Sequence, residues 1–142
     1  MTKVINAVKT AKFDIIDGKS SIQYWRDNSR SHDDTLCRKC GSRENIGGGH
    51  VIGHIDGDYH ICIIPLCQEC NNQREELPPF DVLSKDLVRI PIEQELELFK
   101  KKENQAQKHR LINAMINPAI APTPKHKTDK EYNNMARGNT AG

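Results

Sequence analysis

The sequence predicts an α+β fold built around a small core with flanking helices. Three observations support this prediction: two Cys-x-x-Cys pairs, a turn signal between two short apolar runs, and a helix-forming segment toward the C-terminus. The chain has 142 residues, of which 5% are aromatic, so we expect one domain with a modest core. Such a core needs support beyond apolar burial, and a bound metal can supply it.

Composition divides the chain into four segments. Residues 1–36 are predicted to form an N-terminal arm with a short helix, and residues 37–90 form the cysteine-bearing core. An amphipathic helix is predicted at 91–117. The polar segment 118–142 is predicted to be a disordered tail.

Within the arm, residues 3–16 fit either a short helix or an extended segment. Ser20 or Ser21 then caps one or two helical turns. The anchors of these turns are aliphatic and aromatic: Ile22, Tyr24 and Trp25. We expect Trp25, the only tryptophan, to pack against the metal-binding turns.

The core alternates turns with apolar runs. Asp56-Gly57-Asp58 is a hairpin-turn signal between a strand at 50–52 and a returning strand at 59–66. Pro65 is expected at the end of the second strand, where its missing N–H is harmless. A short helix over 67–76 is predicted to stop before Pro78.

The segment from Pro91 to Asn117 is the strongest helix signal, with Pro118 marking its end. Acidic side chains come early and basic ones late, as the helix dipole prefers: Glu93, Glu95 and Glu97, then Lys100, Lys101, Lys102, Lys108 and Arg110. A discontinuous apolar stripe predicts that one face of this helix packs.

Two Cys-x-x-Cys pairs, Cys37 with Cys40 and Cys67 with Cys70, are separated by 26 residues. Each pair presents two sulfurs to one ion, so together they predict a tetrahedral structural Zn²⁺ site. Such a closed site leaves no coordination position for water, so it organises the fold and performs no chemistry. Cys62 lies among isoleucines and is predicted to be a small buried hydrophobe.

Candidate chemistry lies between the cysteines, in His50, His54, His60 and Asn71. His50 and His54 are four residues apart, so on a strand they share a face. His60 is expected within cross-strand reach of them after the turn. Asn71 directly follows Cys70, and we expect these side chains to converge above the hairpin.

At this point the sequence resembles the HNH (His-Me finger) endonuclease family, in its zinc-stapled branch. The resemblance rests on Cys37-x-x-Cys40, on Gly49-His50-Val51, and on the run from Ile63-Ile64-Pro65-Leu66 through Cys67-x-x-Cys70-Asn71. It covers about residues 37–76. It implies a ββα-metal core that grips one divalent ion and hydrolyses phosphodiester bonds in nucleic acid, with DNA as the expected substrate.

Carried over to this chain, the resemblance implies that His50 is the general base and that Asn71 lies at the catalytic metal. Cys62 or His60 stands near the position of the family residue that orients the base. The implied ion is Mg²⁺ or Mn²⁺.

Two positions depart from the family pattern. Gly49 stands where many members have an aspartate ligand, and the central asparagine has no clear counterpart. Metal binding would then need His54, His60 or Asp58, and imidazole ligands favour softer divalent ions such as Mn²⁺, Ni²⁺ or Zn²⁺. The site is therefore either a histidine-rich variant, or a zinc module that binds nucleic acid or a protein without catalysis.

Charge and hydropathy limit the remaining classes. The core has six Lys and Arg against eight Asp and Glu, a net of −2, whereas residues 91–142 have nine against six, a net of +3. Attraction to phosphates is therefore expected from the flanks. No segment predicts a membrane span or signal peptide, so a cytoplasmic location is expected. A homodimer would supply two centres for double-strand cleavage, and a third reading is an adaptor that docks through the 92–117 helix.

Overall fold

A computed structural model describes residues 1–10, 13–31, 33–72 and 78–116. The predicted tail and the end of the 67–76 helix lie outside these described residues. Strands and helices both occur, as the α+β prediction requires. The strands are β1 Thr2–Asn6, β2 Ile15–Ile16, β3 Lys19–Ser20, β4 Ile46–Ile55, β5 Asp58–Cys67, β6 Phe80–Val82 and β7 Val88–Arg89. The helices are α1 Ser21–Asn28, α2 Gln68–Asn71, α3 Ile92–Phe99 and α4 Lys102–Ile116.

The β4–β5 hairpin is the centre of the fold, and its predicted turn is confirmed. Asp56 and Gly57 both have positive φ angles, 52° and 89°, which is the pattern of a type I′ turn. Ile55 therefore pairs with Asp58, and the ladder continues without interruption to Ile46 opposite Cys67. Both strands are longer than the sequence predicted, because the three glycines before His50 belong to β4.

Pro65 lies inside β5 and not at its end, as the sequence had suggested. It pairs with Gly48 on β4. Its carbonyl accepts from the Arg38 N–H at 3.0 Å, on the side of β5 away from β4. The N–H that proline lacks would point to that same side, so the β4–β5 ladder loses no hydrogen bond.

The N-terminal segment contributes more than an arm. The strands form a five-stranded sheet in the order β6-β1-β4-β5-β7, so β1 lies between β4 and β6. Val4 and Ile5, on opposite faces of β1, are fully buried. The mixed pattern of residues 3–16 was compatible with a helix or an extended arm. The first part of this segment forms β1, because it pairs with β4 and β6, which are distant in sequence.

Helix α1 begins as predicted, because the Ser20 side chain accepts from the N–H of Gln23. Trp25 on this helix is fully buried, and its Nε1–H donates to the carbonyl of Asp86 at 2.7 Å. The ring belongs to the apolar cluster that contains Ile5, Ile52 and Ile63, and not to the cluster beside the cysteines. The expected packing of Trp25 on the metal-binding turns is therefore only indirect, through Arg38 as described below.

The long C-terminal helix is in fact two helices. Pro91 is the N-cap of α3 and Lys100 is its C-cap; the Lys101 N–H then bonds the Leu98 carbonyl, three residues back, before α4 begins. The new direction lets α4 reach β1: Asn104 Nδ2 donates to the Val8 carbonyl, and Gln107 Nε2 donates to that of Asn6. None of the helices in the described ranges is long and apolar enough to cross a bilayer.

Candidate metal centre

The four predicted cysteines come together. The sulfur atoms of Cys37, Cys40, Cys67 and Cys70 all lie within 4.8 Å of one another, and we call this group the cysteine cluster. Cys40 and Cys67 Sγ are 3.7 Å apart. A tetrahedral site with Zn–S bonds of about 2.3 Å has S···S edges of about 3.8 Å. The cluster thus has the ligands and the size for one structural metal ion such as zinc.

Local backbone geometry aims both pairs of sulfurs at one point. In the first pair, Gly41 adopts a φ of 81° and donates its N–H to the Cys37 carbonyl. In the second pair, Cys67 caps α2, and its sulfur accepts from the Cys70 N–H at 3.4 Å. Each Cys-x-x-Cys segment is therefore a closed turn that directs its two sulfur atoms to the same side.

Ionisation within the cluster is uneven. Burial alone would raise the pKa of the Cys37 thiol, but backbone N–H groups of Cys40 and Cys67, among others, donate to its sulfur and lower that pKa to about 6. Burial raises the pKa of Cys70. Metal ligands must be thiolates, so metal binding at neutral pH releases protons from the cluster.

Cys62 is separate from the cluster, as the sequence predicted. It is fully buried on β5, and burial raises the pKa of its thiol to about 12. Its surroundings are Val4, Val51 and Ile64, on the same face of the sheet. Cys62 is therefore a small apolar side chain of the core.

Arg38, inside the first Cys-x-x-Cys turn, ties the cluster to the rest of the domain. Its guanidinium bonds Asp86 at 3.0 Å and lies 5.4 Å from the centroid of the Trp25 ring. The side chains of Arg38 and Asp86 are only 10% and 6% exposed. This buried pair was not predicted, because Arg38 and Asp86 are distant in sequence and each resembles an ordinary surface residue.

An open cleft borders the cluster on its solvent side. Cys67 of the cysteine cluster lines this cleft. The other lining residues are polar: Ser42, Glu44, Asn45, Gln68, Glu69 and Asn72. Cys40 is exposed, whereas the other three cysteines are buried. Solvent and chelators therefore reach the metal position from the Cys40 side.

His50, the expected general base, lies in the interior. It is 4% exposed, and its Nε2 has no hydrogen-bond partner among the described residues. Burial lowers the pKa of the imidazole to about 4, against a smaller opposing effect of Asp14. The Ala7 N–H donates to the His50 carbonyl, so the segment after β1 lies along β4 at this point. His50 is neutral at pH 7, but its ring has almost no contact with solvent in this structure.

The hairpin register places His50 and Asn71 on opposite faces. Adjacent residues of a strand point to opposite sides, so His50 and Gly49 face different ways. A β-carbon on Gly49 would lie 2.9 Å from Oδ1 of Asn71 and 2.4 Å from Cδ1 of Leu66. Asn71 therefore covers the Gly49 face. On the His50 face, a β-carbon on Gly48 would contact α1 at Ser21.

The other two histidines also separate. His54 shares the His50 face, as predicted, but it is exposed and its ring stacks against Tyr59 at 4.8 Å. His60 pairs with Gly53, so it lies on the opposite face from His50 and His54, and the expected cross-strand reach is wrong. Its Nδ1 lies 3.0 Å from Oε2 of Glu95 on α3.

The expected catalytic set is therefore not assembled in this structure. His54 and Asn71, proposed from sequence as ligands of a second metal, lie on different faces of the hairpin. Within the described ranges, only the cysteine cluster brings three or more Cys, His, Asp or Glu ligand atoms close enough to hold an ion. The two-residue turn in the sequence could have revealed this separation of the histidines. Pairing residues outward from Asp56-Gly57 places His60 opposite Gly53.

Glu95 is a site residue that sequence reasoning missed. It is 4% exposed, and its Oε1 accepts the N–H of Ile61 at 2.8 Å while its carboxylate also contacts His60. Arg89 lies 4.0 Å from the same carboxylate. Glu95 therefore attaches α3 to the edge of β5, next to the short strand β7.

Comparison with protein-family models, with curated proteins and with solved structures gives no significant match. The cysteine cluster, the hairpin and α2 thus stand as the features from which function has to be inferred.

Proposed function

We propose that this chain is a zinc-stabilised module that binds nucleic acid, built on an HNH-like order of hairpin and helix without an assembled catalytic centre. The supporting observation is the separation of His50 from Asn71 by the plane of the hairpin. A general base must come within hydrogen-bond reach of the water that it activates. His50 is enclosed, and its ring points away from the face that Asn71 occupies.

The position before His50 supports the same proposal. Gly49 is packed against Leu66 and Asn71 so closely that a side chain has no room there. The carboxylate that many HNH enzymes carry at this place therefore does not fit the observed packing. A main metal ligand is missing for steric reasons as well as in sequence.

Nucleic acid is the proposed partner for two reasons. The HNH-like order of motifs implies it, and the charge balance of the chain is positive outside the core. In this proposal the cysteine cluster keeps the hairpin and α2 in register, and binding relies on charged surface residues.

A metal-dependent endonuclease is the second candidate function. It is favoured by the buried Nε2 of His50, which has no partner in the described chain, and by Asn71 Oδ1 beside the Gly49 backbone. Buried polar atoms without partners are uncommon in stable domains, and they occur at functional sites. Cleavage would require a conformation in which His50 reaches the Asn71 side or the solvent.

One set of measurements distinguishes the two functions. Zinc-loaded full-length protein is titrated into labelled duplex DNA, single-stranded DNA and RNA, and the same mixtures are incubated with Mg²⁺ or Mn²⁺ and examined for cleavage. We expect salt-dependent binding and intact nucleic acid. Cleavage that His50→Ala abolishes and His54→Ala retains would establish the endonuclease instead. Absence of binding to all three polymers at low salt would refute both candidates.

A further inference from the structure

The break between α3 and α4 gathers lysines at one corner of the molecule. Lys100 caps the end of α3, and Lys101 and Lys102 follow directly at the start of α4. Lys9, from the segment after β1, meets them: its carbonyl accepts from Lys101 Nζ at 2.9 Å. We call these four residues, Lys9, Lys100, Lys101 and Lys102, the lysine corner.

The fold holds this corner in place. Lys9 has a φ of 59°, which turns the chain there, and its side chain pairs with Glu103 at 3.2 Å. Asn104 and Gln107, one turn along α4, are fully buried and bond the backbone of residues 6–8. The first turn of α4 is therefore fixed against β1, so the lysines stand on a rigid support and not on a loose loop.

The pairing of cations differs between this corner and the rest of the surface. Elsewhere in the described chain, most solvent-facing arginines and lysines form an ion pair with a carboxylate. The pairs are Lys3 with Asp81, Lys19 with Asp27, Arg26 with Asp34, and Arg43 with Asp33. Within the described ranges, Lys100, Lys101 and Lys102 form no ion pair with a carboxylate. Lys100 and Lys102 are exposed. Two exposed ammonium groups, those of Lys100 and Lys102, are thus left to attract an anion, beside Lys101 on its backbone acceptor.

The acidic groups around the corner do not neutralise it. Glu103 is engaged by Lys9, and Glu97 lies one turn before Lys100 on α3. Against these two carboxylates stand the four lysines, and Lys108 lies farther along α4, over the Phe99 ring at 5.2 Å. The local balance is positive on a domain whose cysteine-bearing core is acidic.

We propose that the lysine corner is the surface on which this chain contacts the phosphate backbone of nucleic acid, at a place separate from the cysteine cluster and the hairpin histidines. This inference rests on the proposed function. Lysine acts on phosphates as a mobile point charge, so the corner provides affinity and salt dependence without reading sequence. Sequence preference, where present, has to come from another surface.

The test compares two double variants with the same change in charge. Lys100→Gln with Lys102→Gln removes two corner cations and leaves Lys101 on its backbone acceptor. Arg30→Gln with Lys85→Gln removes two exposed cations elsewhere that hold no carboxylate within the described ranges. Binding of each variant to a short DNA duplex is measured by fluorescence anisotropy between about 50 and 200 mM salt.

We expect the corner variant to bind about tenfold more weakly at about 0.1 M salt and to lower the log–log salt slope by about 2, one for each lost phosphate contact. The control variant should keep the wild-type slope. Equal weakening in both variants would show that only net charge matters and would overturn the corner assignment. If the corner variant binds DNA as tightly as the wild type does, the corner assignment is also overturned, but the proposal that this chain binds nucleic acid stands. Tighter binding to phosphatidylserine vesicles than to DNA would overturn nucleic acid as the occupant.

Discussion

The cysteine cluster forms at the end of the β4–β5 hairpin, whereas the three histidines lie along its strands, and only the cysteines converge. Cys67 lies at the open end of the hairpin, where the chain turns into α2 and a second Cys-x-x-Cys turn can meet it. The histidines lie along the ladder, where every side chain is committed to one face by its position. Ligands at strand ends can be gathered by turns, whereas ligands within a ladder are separated by strand alternation.

The largest effect should come from breaking the cluster. Cys70→Ser removes one thiolate, and because structural zinc contributes about 10–16 kcal/mol in small domains, the loss exceeds the stability of most domains. We expect no bound zinc and no cooperative thermal transition, measured by metal analysis and circular dichroism. Cys62→Ala is the matched control, with one zinc retained and a cost of about 1 kcal/mol. A Cys70→Ser protein that still holds one zinc would contradict the tetrathiolate.

The second effect concerns the attachment of the cluster. Arg38→Ala leaves the Asp86 carboxylate buried without its ion-pair partner, and such losses cost about 3–5 kcal/mol. Urea unfolding of the zinc-loaded protein measures the cost. Arg26→Ala is the control, because Arg26 pairs with Asp34 at the surface and its side chain is 46% exposed, so its loss should cost under about 1 kcal/mol. Equal costs would show that Arg38 does not anchor the cluster.

The third prediction uses pH to compare the buried and exposed histidines. The pKa of His50 is about 4 in the folded protein against 6.5 for a free imidazole. Between these two pH values the imidazole is protonated in the unfolded chain and neutral in the folded one. The contribution of His50 to stability is therefore complete above pH 6.5 and decreases as the pH falls toward 4, by about 3 kcal/mol in all.

Replacing His50 removes this pH dependence. When the pH is lowered from 7.5 to 5, the free energy of unfolding should fall less for His50→Leu than for the wild type. Urea unfolding with zinc present measures both. His54→Leu, at an exposed position on the same strand, should keep the wild-type dependence. If both variants follow the wild type, His50 is accessible to protons and the enclosed site described here is incorrect.

The smallest effect tests whether the Gly49 face can become a metal site. Gly49→Asp forces a side chain against Leu66 and Asn71, and overpacking of this kind costs about 1–3 kcal/mol. Gly47→Ala is the control, because a β-carbon there meets nothing within 4 Å. Denaturant unfolding and Mn²⁺ titration measure the outcome. A Gly49→Asp protein that is as stable as the control and gains a Mn²⁺ site would show that the Asn71 face retains catalytic geometry.

Local signals in the sequence predicted the features that depend on a few neighbouring residues. The spacing of Cys37, Cys40, Cys67 and Cys70 predicted the cluster, and Asp56-Gly57 predicted the hairpin turn, because turn chemistry is set by residue type and spacing. The Ser20 cap of α1 was predicted for the same reason.

Features that depend on distant partners were not predicted. Strand β1 has a mixed pattern and is recognisable only through its pairing with β4 and β6. The break at Lys100 follows from the need of Gln107 to reach Asn6, about a hundred residues earlier in the chain. The burial of His50 depends on α1 and on the segment around Ala7. The spacing of the histidines contains no information about either segment.

The interior position of β1 in the sheet has a consequence for how the protein is made. Strand β1 cannot complete its pairing until β6 has been synthesised, and the Asn6 carbonyl at its end gains its donor only when Gln107 of α4 emerges. During synthesis, all four cysteines have been made once Cys70 emerges, but Asp86, the ion-pair partner of Arg38, is still to come. Strand β1 can pair with β4 by then, but its other edge has no partner until β6 is made. One edge of β1 should therefore stay open to pairing with other chains until the chain has been made as far as β6.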